Sequence, residues 1–135
     1  MTTPPMTVGL ALNIPEVLAE VQAVFDRYED ALVNNRVAVL DDLFLAAPTT
    51  VRFGVGENLY GFAQIQAFRS ARSPQGLART LERTVITTYG RDFATTMTLF
   101  RRPTSPRTGR QSQTWVRTPT GWRVVAAHVS LMEGS

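Results

Sequence analysis

The sequence contains no cysteine and no lysine, and each absence excludes a kind of chemistry. Without cysteine there is no disulfide framework, thiolate zinc site, iron–sulfur cluster or cysteine nucleophile. Without lysine there is no side-chain amine for Schiff-base catalysis, and all fourteen basic residues are arginine. His128 is the single histidine, which excludes a multi-histidine metal site. We therefore expect a protein with no metal and no other cofactor.

Long apolar runs and strong charge are also missing. No stretch approaches the ~20 apolar residues of a membrane span. The N-terminal segment MTTPPMTVG has neither the basic start nor the apolar core of a signal peptide. The net charge is only +3, and the arginines do not alternate with aromatic residues as single-stranded nucleic acid requires. The sequence predicts a cytoplasmic protein that binds neither membrane nor nucleic acid.

The 135 residues, 44% of them apolar, are enough for one compact domain, which we place at residues 13–135 after a disordered leader at 1–12. Apolar residues at three- and four-residue steps predict three helices, at 14–35, 36–45 and 61–72. Runs of β-branched and aromatic residues predict five strands, at 49–54, 79–89, 92–102, 110–118 and 122–131. Helices followed by an antiparallel meander indicate an α+β fold, in which a curved antiparallel sheet wraps around the helices and leaves a conical cavity.

Arg52 is unexpected because it lies in the first predicted strand, between Val51 and Phe53. The two apolar neighbours favour burial on one face, so the arginine points to the other. If that face meets solvent, Arg52 is an ordinary surface residue. If a helix covers it, the guanidinium requires an anion, either a carboxylate such as Glu57 or Glu82 or an anionic ligand. Its planar fork matches a carboxylate.

Three further residues are candidates for the same cavity. Tyr28 lies on the apolar stripe of the first helix, either as a core residue with its hydroxyl at the edge or with that hydroxyl in the cavity. Arg69 and Arg72 share one face of the third helix, because they are three residues apart. They form either a solvated helix end, where cations favour the helix dipole, or a positive rim over the cavity.

The last strands add two candidates. In strict alternation His128 shares a face with Trp122 and Val124, either as a hydrogen-bonded core residue or as a residue that orients a ligand or water. Trp115, beside a turn, is expected to pack. We include Trp115 and His128 among the candidate substrate-binding residues.

Three segments carry a resemblance to a known family: RFGVGENLYGFAQIQAFRSAR, TTYGRDFATTMTLF and SQTWVRTPTGWRVVAAHVSLM. Over residues 14–133 the chain resembles the AtzH-type branch of the SnoaL-like, nuclear transport factor 2-like superfamily. The resemblance implies a cone-shaped α+β barrel that forms a homodimer through its sheet. The wider superfamily includes isomerases, hydrolases, cyclases and non-enzymatic binders, so the fold alone does not fix the activity.

The resemblance also implies an activity. AtzH-type enzymes act on 1,3-dicarboxyurea, releasing allophanate in a decarboxylating amide hydrolysis, and related members belong to oxalurate catabolism. By this resemblance Tyr28 and Arg52 are the catalytic residues, and Arg69 and Arg72 of the FR-x-x-R motif bind carboxylate. The implied partners are a small carboxylate substrate, a second copy of the chain and an amidase of the same pathway.

The leading expectation is therefore a cofactor-free hydrolase of a ureido-carboxylate. Arg52 would hold a carboxylate and stabilise developing negative charge, and Tyr28 would donate a proton. The sequence shows no convincing general base. One alternative is a non-catalytic binder of an anionic metabolite, or an accessory subunit of an amidase. Another is an isomerase or cyclase of polyketide type, which would use an acid such as Glu82 or Asp92.

Overall fold

The computed structural model describes residues 9–133, in which three helices precede and interrupt a set of six strands. The helices are α1 (Pro15–Val33), α2 (Val37–Leu43) and α3 (Phe62–Ala71). The strands are β1 (Val51–Phe53), β2 (Asn58–Tyr60), β3 (Thr80–Tyr89), β4 (Phe93–Arg101), β5 (Gly109–Thr118) and β6 (Gly121–Leu131). All predicted elements are present, and only β2 was not predicted. Its three residues are too few to show a period.

The strands form one sheet in the order β2-β1-β6-β5-β4-β3. Strands β3 to β6 make the expected antiparallel meander. The expected α+β fold, a curved sheet with helices, is confirmed. The sheet is mixed rather than wholly antiparallel, because β1 runs parallel to β6, with Arg52 opposite Ala127. A parallel pair needs a long connection, and here the chain from α3 through the meander supplies it.

The helices cover one face of the sheet, and the core lies between them. The apolar stripe of α1 is buried there, including Val17, Val21 and Phe25. Trp115 and Val124 meet it from the sheet and have no exposed surface. Burying side chains of this size stabilises the fold by about 1.5–3 kcal/mol each. The other face of the sheet is not covered by any helix of residues 9–133.

A β-bulge at Val125 interrupts the alternation of β6. Before the bulge Trp122 and Val124 are buried, whereas after it Val129 is buried and His128 is exposed. The prediction that His128 shares a face with Trp122 and Val124 is therefore wrong. The extra residue reverses the parity, because side chains alternate with a period of two.

The chain before α1 lies against β3. The carbonyl of Ala11 accepts a hydrogen bond from Gly90 N–H at 2.8 Å, and Leu12 forms a bridge with Tyr89. The first part of the predicted leader, residues 1–8, lies outside the described residues, whereas its end belongs to the folded structure. Within residues 9–133 no helix is long and apolar enough to span a membrane.

Candidate functional site

A cavity of about 180 Å³ lies between α1, α3 and the helix-covered face of the sheet. It is lined by Tyr28, Leu32, Arg52, Val55, Glu57, Phe68, Arg72, Leu77, Arg79, Arg102, Gln111 and Val129. Four of these twelve residues are arginines and one is a carboxylate. The cavity is therefore a strongly positive site with apolar walls, which suits a small anion.

Arg52 enters the cavity from β1. The strand alternates so that Arg52 is buried on the helix-covered face, whereas Val51 and Phe53 are only half buried on the other face. Arg52 Nη1 lies 3.0 Å from Glu57 Oε1. Of the two carboxylates considered from the sequence, Glu57 is the partner. The apolar neighbours Val51 and Phe53 led us to expect burial of their own face of the strand. The structure instead buries the face that carries Arg52.

Glu57 reaches Arg52 because the chain turns back through two glycines. Its second oxygen, Oε2, accepts a hydrogen bond from Gly56 N–H at 3.2 Å. A Cβ atom at Gly54 would lie 1.8 Å from Glu57 Oε1, so glycine at 54 allows the carboxylate to fold onto Arg52. Among the lining residues of the described chain, Glu57 alone carries a carboxylate. The sequence offered Glu57 only as an ion-pair partner, and its place in the cavity adds a proton acceptor.

Tyr28 lines the cavity from α1, and its ring packs near Phe44 with centroids 6.2 Å apart. Tyr28 is 4% exposed, and its side chain forms part of the cavity wall. A tyrosine hydroxyl at the wall of a cavity can donate a hydrogen bond to a ligand bound there. Of the two alternatives for Tyr28, the structure therefore favours a hydroxyl in the cavity over a purely structural core residue.

Arg72 also lines the cavity, at the point where α3 ends. It is the C-cap of the helix and has extended backbone, which turns its side chain away from the face of Arg69. Its guanidinium lies 5.9 Å from the ring centre of Phe68. Burial lowers the pKa of Arg72, and the neighbouring charge of Arg52 lowers it further. The prediction that Arg72 faces the cavity agrees with this geometry.

Arg79 and Arg102 line the far side of the cavity, and neither is among the candidates predicted from the sequence. Arg79 precedes β3, and its Nε lies 3.1 Å from Glu29 on α1. Arg102 follows β4, with its guanidinium 5.1 Å from the Phe100 ring. One signal was available. Phe100 and Arg102 have the same parity, so a buried Phe100 implies an inward Arg102.

Arg69 does not line the cavity. Its side chain is 2% exposed, with Nη1 3.2 Å from Asp41 Oδ1 and the guanidinium 4.0 Å from the Phe44 ring centre. Burial lowers the pKa of Arg69. The i, i+3 spacing suggested a shared face with Arg72, but the helix ends between the two residues. Arg69 joins α3 to α2 rather than reaching a ligand in this cavity.

Trp115 and His128 lie outside the cavity as well. Trp115 has no exposed surface, and its Nε1–H donates to Thr96 Oγ1 at 3.1 Å within the core. His128 lies on the uncovered face of the sheet, with its ring 6.0 Å from that of Phe53. The Val125 bulge explains this position. The structure therefore brings together Tyr28, Arg52 and Arg72, and separates the other three candidates from them.

The two acids considered for an isomerase or cyclase are also remote. Glu82 is half exposed and binds Arg101 at 2.9 Å, and the Asp92 side chain is 77% exposed. Neither lines the cavity. Within residues 9–133 no three histidine or carboxylate side chains are grouped to hold a metal ion.

The AtzH-like family model matches residues 10–135. The chain belongs to the AtzH-like family. It is 56% identical to a protein of unknown function from Pectobacterium atrosepticum, covering 96% of this chain and 100% of that one, with a TM-score of 0.91. A cystatin-like fold protein from Burkholderia xenovorans is 47% identical, covering 92% and 98%, with a TM-score of 0.88.

A nuclear transport factor 2-like protein from Salmonella enterica is 25% identical, covering 89% of this chain and 94% of that one, with a TM-score of 0.68. No protein with a curated description matches the chain. The resemblance found in the sequence is confirmed at the level of family and fold. Because the relatives from Pectobacterium atrosepticum and Burkholderia xenovorans are described only by fold or as of unknown function, the activity has to be argued from the cavity.

Proposed function

We propose that this AtzH-like protein is a small hydrolase that breaks a C–N bond in a ureido-carboxylate such as 1,3-dicarboxyurea. The observation that carries the proposal is that the buried Arg52 and Tyr28 line the same cavity. The family resemblance supplies the substrate class, and nitrogen catabolism in the cytoplasm is the corresponding setting.

The size and charge of the cavity support a small carboxylate substrate. Its volume of about 180 Å³ is below the ~300–1,000 Å³ of pockets that hold drug-sized ligands. Guanidinium groups recognise carboxylates through a planar pair of hydrogen bonds. The cavity therefore suits a compact molecule with at least one carboxylate.

Arg52 and Tyr28 would act on opposite sides of the bond that breaks. Arg52 uses Nη1 for Glu57, so its remaining nitrogens are available to a carboxylate or to an oxygen that gains negative charge in the transition state. Tyr28 would donate its phenolic proton to the departing nitrogen. Each such interaction contributes only if it strengthens as the reaction proceeds.

Glu57 would take a proton from the attacking water, since it is the one carboxylate among the described lining residues. Water then adds to the carboxyl carbon, and the C–N bond breaks as nitrogen receives the proton of Tyr28. The proton held by Glu57 replaces the one that Tyr28 gave. For 1,3-dicarboxyurea and one water, the products are allophanate and bicarbonate, so atoms and charge balance.

The test is a turnover assay with freshly generated 1,3-dicarboxyurea, oxalurate, allophanate and biuret, following ammonia, carbon dioxide and each product. We expect product above spontaneous decay from at least one of them. Arg52→Ala and Tyr28→Phe should each lose roughly 100-fold or more in kcat. Arg36→Ala is the matched control, because Arg36 is an exposed arginine paired with Asp30.

A second function is favoured by one feature, the ion pair with Arg52 that already occupies Glu57 Oε1. In that case the protein binds an anionic metabolite without changing it. Tight binding of a substrate that is recovered intact, with no turnover on any of the four compounds, would replace the hydrolase proposal with this one.

A further inference from the structure

Two aromatic rings each contact two of the arginines that line the cavity, and the first ring is Phe68 of α3. The Arg52 guanidinium lies 5.5 Å from its centre and that of Arg72 lies 5.9 Å away. Cation–π attraction at such distances orients both groups. Arg52 is neutralised by Glu57, whereas Arg72 has no ion pair with any residue of 9–133.

The second ring, Phe100 of β4, repeats this arrangement. The Arg79 guanidinium lies 4.5 Å from its centre and that of Arg102 lies 5.1 Å away. Arg79 is neutralised by Glu29 of α1 and also donates to Gln111. Arg102, like Arg72, forms no ion pair within the described residues. Each ring therefore carries one compensated arginine and one uncompensated arginine.

The uncompensated pair also lacks hydrogen-bond partners. Arg72 Nε and Nη2 and Arg102 Nε are buried and unpartnered within residues 9–133. Burial lowers the pKa of Arg102, and the positive charges of Arg79 and Arg72 lower it further. Arg72 and Arg102 thus repel each other across a shared cavity. Burying a charge without a counter-ion is costly, so this arrangement calls for an anion.

We infer that Arg72 and Arg102 form a second anion subsite, which binds the second carboxylate of a small dianion whose first carboxylate lies at Arg52. The four arginines and two carboxylates leave the site with two uncompensated positive charges. A ligand with two negative charges neutralises them. The inference rests on the proposed function for the identity of the substrate, whereas the charge of the ligand follows from the side chains alone.

The test compares unreactive carboxylates of one and two charges, by calorimetry on the wild-type protein with acetate, oxalate, malonate and succinate. We expect at least one dicarboxylate to bind about 10-fold or more tightly than acetate. Arg102→Gln should weaken binding of that dicarboxylate by about 10- to 100-fold, the range for hydrogen bonds to charged groups. Acetate neutralises only one of the two uncompensated charges, so it should remain the weaker ligand of the wild-type protein.

Arg101→Gln is the matched control, since Arg101 is the preceding residue, half exposed and paired with Glu82. It should bind every carboxylate as the wild type does. A second readout is thermal, because a ligand that binds only the folded state raises its melting temperature. The selected dicarboxylate should raise that temperature less in Arg102→Gln than in Arg101→Gln.

Three outcomes would overturn the inference: no dicarboxylate binds better than acetate, none of the four compounds binds, or Arg101→Gln and Arg102→Gln behave alike. Failure of the hydrolase proposal looks different. Dicarboxylates would then bind in an Arg102-dependent way while the protein turned over none of its candidate substrates. In that result the subsite stands and the catalytic assignment falls.

Discussion

At the scale of single residues, burial alone does not distinguish a structural arginine from a functional one. Arg69 and Arg52 are both buried, and each binds a carboxylate. Arg69 is enclosed by Asp41 and the ring of Phe44, outside the cavity. Arg52 instead lines an open volume with Tyr28. The two arginines differ because a ligand can enter the space beside Arg52. Several separate segments of the chain enclose that space, so the residues next to Arg52 in the sequence do not predict it.

The role of Glu57 can be tested with Glu57→Gln, which keeps the shape of the side chain and removes its basicity. If Glu57 takes the proton from water, kcat should fall by about 10²- to 10⁴-fold. Dicarboxylate binding should persist, since the arginines remain. Steady-state rates and calorimetry on the same preparation separate the two effects. Glu82→Gln is the control, and a Glu57→Gln enzyme with wild-type kcat would exclude Glu57 as the base.

Glu20 supplies a prediction about pH. It accepts a hydrogen bond from Trp122 Nε1 at 3.0 Å and lies 2.7 Å from Arg117 Nη1. The bond from Trp122, followed by Arg117, holds the pKa of Glu20 below its usual value of 4.5. A lowered pKa in the folded state stabilises the protein above the unfolded pKa and loses that effect as pH falls through the folded one.

Melting curves of the wild type and Glu20→Gln should therefore differ most above pH 5 and converge in acid. The difference should stay below ~1 kcal/mol, because the carboxylate is partly exposed and screened by solvent. A constant difference across the whole pH range would show that the effect comes from packing rather than from ionisation.

At the scale of elements, local sequence patterns predict whether a segment is a helix or a strand more reliably than they predict the direction of its side chains. The apolar stripe of α1 predicted the helix and placed Tyr28 correctly. Period-two alternation predicted β6, but the Val125 bulge reversed its parity and moved His128 to the other face. Such a bulge depends on pairing with β5, so one strand's sequence does not reveal it. The side chain of Arg72 likewise points away from that of Arg69 because α3 ends at Ala71.

Gly109 offers a test of how β5 positions the second pair of arginines. A Cβ atom at this position would lie 2.1 Å from the Phe100 ring, so only glycine leaves room for it. Gly109→Ala should destabilise the protein by about 1–3 kcal/mol through overpacking. It should also weaken dicarboxylate binding, because Phe100 carries Arg79 and Arg102.

Denaturant unfolding and calorimetry measure both effects. The control is Gly56→Ala, where an added Cβ meets nothing within 4 Å. If Gly109→Ala unfolded at the wild-type denaturant concentration, the packing of Phe100 against β5 would be looser than this structure shows.

At the scale of the whole molecule, the site is assembled from segments that are far apart in sequence. Tyr28, Arg52, Arg72, Arg79 and Arg102 come from five separate segments and meet only because the sheet curves around the helices. The first three could be proposed from local context and family resemblance. Arg79 required the fold, because a loop arginine beside a strand is usually solvated, and for Arg102 the sequence offered only its shared parity with Phe100.

The uncovered face of the sheet gives a prediction about assembly. It exposes large apolar side chains, including Val85 at 58% and Met97 at 56%. We propose that two copies of the chain pack through this face, as the family resemblance implies, and light scattering at micromolar concentration should give a dimer mass. Met97→Glu should shift it towards monomer. A wild-type monomer at that concentration would count against the proposal.

The most direct test of the account is a crystal structure of the protein with a bound dicarboxylate such as malonate. We expect density in the cavity, with one carboxylate within hydrogen-bond distance of Arg52 and the other between Arg72 and Arg102. Malonate bound elsewhere, for example beside His128 on the uncovered face, with the cavity unoccupied at saturating concentration, would contradict it.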